Sequence, residues 1–160
     1  MAYTFRAQTS EEQKAHAGGS KICDIYDIFT YHTEFEEKTA LAYGQLKALF
    51  GEPTHSSKSF EALYEYEICA ESDNGEAVYL CAYCGATGPS IGGVPSVHSE
   101  EAAKELVEII QSAQAVDYEI TCYYLDGPTK ITQGVKDGKA YMQEEDADPS
   151  DPELAELMKF

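Results

Sequence analysis

The chain has no tryptophan and a single arginine, Arg6. Eleven bases stand against twenty-nine acids in 160 residues, for a formal net charge of −18. This shortage of positive charge excludes two classes of partner. Nucleic-acid binding draws on lysine and arginine to release counterions from phosphates, and an anionic membrane surface needs the same residues. No apolar run approaches the roughly 18 residues of a membrane span. Met1 to Ser20 carries no apolar stretch of the secretory-signal type. Five cysteines, an odd number outside any secretory context, point to reduced thiols and a cytoplasmic location.

Sequence motifs for common chemistries are also missing. Cys81-Ala82-Tyr83-Cys84 is a CxxC, but no second CxxC and no paired-histidine motif accompanies it. In a strand, positions i and i+3 point to opposite faces, so the expectation is one core and one surface cysteine rather than a zinc or redox pair. The run Gly85 to Gly93 lacks both the GK[ST] ending of a phosphate-binding loop and GxGxxG spacing. His16, His32, His55 and His98 are scattered, and no catalytic set follows from their spacing. Glu144-Glu145-Asp146-Ala147-Asp148 has neither the ligand spacing nor the glycine of a calcium loop. Carboxylates at Glu65, Glu67 and Glu71 suit hard cations, with weak, nonspecific association as the expectation. The sequence therefore predicts no catalytic residue, no metal site and no cofactor.

What the chain does have is apolar content for a core, at 43%, and twelve tyrosines. Tyrosine joins an apolar ring to a polar tip and suits half-buried sheets and contact surfaces. The charge is uneven. Residues 61–85 carry six acids and no base, and 144–160 carry seven acids and Lys159 alone. These two segments hold twelve of the eighteen net charges, whereas residues 1–60 net only −2.

Patterning predicts an α+β domain. Residues 1–20 read as a flexible polar arm, 21–143 as a single domain, and 144–160 as an acidic segment with a short helix. Lys21–Tyr31 has strand composition. Thr33 and Glu36 form a capping-box pattern ahead of a helix to Phe50, with Gly51 as its stop. Leu63–Glu71 and Glu76–Cys84 read as a hairpin. A three-residue loop, Asp73-Asn74-Gly75, places Tyr64, Tyr66, Ile68 and Ala70 beside Val78, Leu80, Ala82 and Cys84 on one apolar face. Gly85 to Pro95 reads as a connecting loop, and Ser99 as the cap of the next helix. Asp117–Leu125 is a strand, Lys130–Gly134 and Lys139–Gln143 a hairpin, and Pro152 opens a last helix. The first six elements follow the ferredoxin-like βαββαβ order, with a mostly antiparallel sheet.

The predicted outward face of the first hairpin interleaves Glu65, Glu67 and Glu71 with Tyr79 and Tyr83. Acids steer a basic partner and tyrosines give contact area, so these residues, with Glu144, Glu145 and Asp146, are the expected partner-binding set. A small, acidic protein without a catalytic signature resembles bacterial immunity proteins that neutralise toxins, and phage inhibitors that imitate nucleic acid. The resemblance is one of composition and assigns no residue a role. It implies a binding protein that inhibits a basic partner by occlusion. The alternative is a small-molecule-binding or enzymatic α+β domain using the Gly85–Pro95 loop, whose mark would be a concave pocket with converging polar groups.

Overall fold

The computed structural model describes residues 3–16, 19–26, 32–85, 88–125 and 128–158, without the side chains of 32–37. In chain order the elements are β1 (Tyr3–Ala7), α1 (Ser10–His16), β2 (Ser20–Asp24), α2 (His32–Phe50), β3 (His55–Ser56), β4 (Ala62–Ser72), β5 (Ala77–Gly85), β6 (Gly88–Gly93), α3 (Val97–Ser112), β7 (Tyr118–Tyr124), β8 (Thr129–Lys136), β9 (Lys139–Asp146) and α4 (Pro152–Leu157). The fold is α+β, and the strand pairings within both sheets are antiparallel.

The six-stranded sheet runs β1-β4-β5-β6-β2, with β3 added beside β4, and the three-stranded sheet runs β7-β8-β9. This differs from the ferredoxin-like order. That order needs Asp117–Leu125 in the same sheet as the first hairpin, but β7 pairs with β8 instead. β8 and β9 close a tight hairpin of their own. Asp137 and Gly138 both take positive φ, 52° and 79°, the geometry that matches hairpin twist. The resulting ribbon takes β7 as its third strand. Main-chain bonds join the sheets through Tyr123, which donates to Lys58 O and accepts from Phe60 N.

The hairpin register follows the alternation. Tyr64, Tyr66, Ile68 and Ala70 pair with Cys84, Ala82, Leu80 and Val78, and Gly75 turns the loop at φ 81°. The alternative two-residue turn would put Leu80 among the acids, so burial of one face selects the register. Ile68, Leu80, Ile91, Leu106 and Ile110 are at most 1% exposed. Each such side chain contributes about 1.5–3 kcal/mol on leaving water. α3 packs against β2, β5 and β6, α2 packs against β8 and β9, and the two helices touch.

Three segments differ from the sequence reading. Residues 1–20, expected as a loose arm, supply β1, α1 and the start of β2. In β1, Tyr3, Phe5 and Ala7 pair with Ser72, Ala70 and Ile68, a period-2 pattern on the core face. α1 opens on a reciprocal capping box: Thr9 Oγ1 accepts from Glu12 N at 3.2 Å and Thr9 N donates to Glu12 Oε1 at 2.9 Å. Gly85–Pro95, expected as a loop, contains β6, buried along its whole length between β5 and β2. Finally, α3 is capped by Ser96; Ser99 is its N3 residue and completes the box by accepting from Ser96 N at 2.7 Å.

Other expectations hold. α2 ends at Phe50, with Gly51 at φ 79° bonding back to Lys47 O. The Thr33 and Glu36 side chains lie outside the described residues, as do Asp126 and Gly127. α4 begins with Pro152 after the N-cap Asp151. Tyr123 fixes α4 by donating to Asp151 Oδ2 at 2.6 Å. Among the described residues no helix is long and apolar enough to cross a membrane.

Candidate functional site

The outer face of the six-stranded sheet can be followed row by row from the pairings. His55, Glu65, Tyr83, Ser90 and Asp24 form one row across β3, β4, β5, β6 and β2. Glu67, Cys81, Gly92 and Lys21 form the next. Arg6, Cys69 and Tyr79 form a third, and Thr4, Glu71 and Ala77 a fourth.

α1 covers the third row. Arg6 holds Glu12 at 2.6 Å and Glu71 at 2.5 Å, and the His16 ring stacks on Tyr79 with centroids 3.8 Å apart. The Arg6 guanidinium, with help from Thr9, pulls the Glu12 carboxyl down to about 2. Gln8 reaches under the helix, and its amide donates to Ile68 O at 3.0 Å. Beneath this cover Cys69 is fully buried.

The first two rows frame a cavity of about 240 Å³, lined by Gly19, Ser20, Lys21, Glu65, Cys81, Tyr83, Ser90 and Gly92. Its floor exists because β6 offers no side chain at Gly92, where a Cβ would lie 3.1 Å from Cys81 Sγ and 3.1 Å from Ser20 O. Lys21 pairs with Asp24 at 2.6 Å. Burial, then the neighbouring Glu67 and Glu65, push the Cys81 thiol up to about 11. It is therefore protonated at neutral pH and is not a thiolate nucleophile. Tyr83 donates to Glu61 O at 3.2 Å, which holds its ring along the sheet.

Beside the cavity, and sharing Glu65 with it, the potential ligand atoms of His55, Glu65 and Glu67 lie within 4.8 Å of one another. β3 sets His55 beside Glu65: its two residues pair with Glu65 and Tyr64, and Thr54 Oγ1 accepts from Glu67 N at 2.9 Å.

The eight expected partner-binding residues divide by environment. Glu67 is 1% exposed, Glu65, Tyr79 and Tyr83 are half-buried, and Glu71 is exposed but held by Arg6. Glu144, Glu145 and Asp146 are all exposed, at the end of β9, opposite Ile131, Lys130 and Thr129. Cys81 and Cys84 point to opposite faces, and all five cysteines are free. Burial and the Cys122 thiol raise Cys84 to about 12.

Sequence reading did not connect His55 and Lys21 to the site, whereas Ser90 and Gly92 lie within the Gly85–Pro95 segment of its alternative, ligand-binding reading. The available signal was the alternation Pro89-Ser90-Ile91-Gly92, which places Ser90 and Gly92 on one face and Ile91 on the other. His55 gave no signal, because a two-residue strand has no period. Comparison with family models, curated proteins and solved structures finds no match for this chain.

Proposed function

We propose that this is a binding protein that takes a small, positively charged ligand in the cavity at Glu65, Cys81, Tyr83 and Ser90. The observation that carries this reading is charge. Two charged residues line the cavity, Lys21 and Glu65, and Lys21 is already paired with Asp24 at 2.6 Å, which leaves the Glu65 carboxylate facing the ligand space. A unit cation about 4 Å from one carboxylate gains on the order of 4 kcal/mol at an effective dielectric constant near 20. The cavity lies below the roughly 300–1,000 Å³ typical of drug-sized ligands, so the ligand is small. The protonated Cys81 favours binding over covalent chemistry.

The test is thermal stabilisation by methylguanidine, ethanolamine and divalent cations, with acetate as control. A saturable rise in Tm with at least one cation, lost in Glu65→Gln and absent with acetate, is the expected result. No response to any cation, or an unchanged response in Glu65→Gln, overturns the reading.

A second reading is recognition and inhibition of a basic protein. It is favoured by Glu144, Glu145 and Asp146, consecutive and exposed on a strand that pairs on one side only among the described residues. Such an edge offers main-chain groups for an added strand, and its acids steer a basic one. Charged residues also protect edges from aggregation, so the test must read affinity. For a partner isolated from the source cells, Glu144→Lys/Glu145→Lys/Asp146→Lys weakens binding and flattens its salt dependence. Unchanged affinity at low salt removes this reading.

A further inference from the structure

We propose that His55, Glu65 and Glu67 hold a divalent transition-metal ion. The proposal rests on the cation-site reading of the neighbouring cavity and names a specific occupant. One imidazole and two carboxylates lie within 4.8 Å of one another, on adjacent strands whose register is fixed. A tetrahedral site with bonds of about 2.1 Å has edges of about 3.4 Å, so the donors need to close by at most about 1.4 Å. His55 is exposed and Glu65 half-buried, so both have room to adjust, while Glu67, 1% exposed, is the enclosed donor.

The donor set selects the metal. Imidazole suits zinc and its transition-series neighbours, whereas magnesium and calcium prefer oxygen-only shells. Three protein donors also leave one or more positions for water or a ligand. Glu65 belongs to both the donor set and the cavity lining, so a bound ion would sit on the cavity wall. Cys84 takes no part, since it faces the core.

The experiment is calorimetric titration of the chelator-treated full chain with zinc, manganese and magnesium chlorides. A Cys23→Ser background removes the cysteine that is not buried. One equivalent of zinc is expected, with magnesium at least about tenfold weaker. His55→Ala, at an exposed position that spares folding, should weaken zinc by about tenfold or more, and Glu65→Gln likewise. The His55 ring resonances should shift with zinc in the parent protein. Zinc and magnesium binding equally, or zinc affinity indifferent to His55→Ala, overturns the site. A Tm response to amines that Glu65→Gln abolishes, without zinc binding, overturns the metal site and leaves the cavity reading standing. Loss of both responses overturns both.

Discussion

The acids of the first hairpin and those of the last strand carry similar formal charge in opposite settings. Glu65, Glu67 and Glu71 lie on a sheet face crossed by other elements: α1 covers the third row, β3 flanks Glu65, and Arg6 holds Glu71. Glu144, Glu145 and Asp146 lie on an edge strand and are exposed. Charge density along a sequence thus says nothing about where the charges face. In the proposed reading the hairpin acids form a local cation site, whereas exposed acids such as those of β9 act through the long-range field.

The largest expected effect that sharpens this contrast is at the glycines. Gly19 has φ 133°, and a Cβ there would lie 2.4 Å from Gly93 O. Gly19→Ala should therefore cost about 2–4 kcal/mol from strain and overpacking together. Gly138, in the β8–β9 turn, has φ 79° but open space around it, and its alanine variant should cost about 1 kcal/mol. Denaturant unfolding of the two variants checks both, and equal losses would mean that the cavity wall is no more constrained than an exposed turn.

Next is the attachment of α1. Glu12 has a folded pKa of about 2, depressed by Arg6 from an ordinary value of 4.5. A depressed carboxylate stabilises fully above its ordinary pKa, and the contribution is lost as pH falls through the folded value. Amide protection in α1 should therefore fall between about pH 4.5 and 2, before that of β4 and β5. Arg6→Gln should shrink this pH step, leaving the smaller part that Thr9 supplies. An undiminished step in the variant would assign it to another group.

The smallest expected effect is at β9. Reversing Glu144, Glu145 and Asp146 to lysine should change stability by no more than about 0.5 kcal/mol for each substitution. A much larger loss would show that the strand end is tied into the fold by more than the Lys130–Glu145 ion pair at 3.8 Å.

What the sequence made legible was alternation with large side chains. The β4–β5 register was readable because Tyr64, Tyr66, Ile68 and Leu80 mark one face. β6 was not read as a strand, because among its glycines and proline only Ile91 is a large side chain to mark the buried face. β1 and α1 were readable in principle, from Tyr3, Phe5 and Ala7 and from the Thr9–Glu12 box, but charged neighbours masked them. At the site, Glu65 and Glu67 were visible as acids on one face. His55, Lys21 and Ser90 join them only through pairings between strands far apart in sequence, which no local pattern encodes.

Carboxyl footprinting tests the central contrast most directly. The native protein would be labelled with carbodiimide and glycinamide, and the rate at each acid read by tandem mass spectrometry. Fast labelling is expected at Glu144, Glu145 and Asp146, very slow labelling at Glu67, and intermediate labelling at Glu65 that a stabilising cation suppresses. Equal rates at Glu67 and Glu144, with no cation effect at Glu65, would contradict the account.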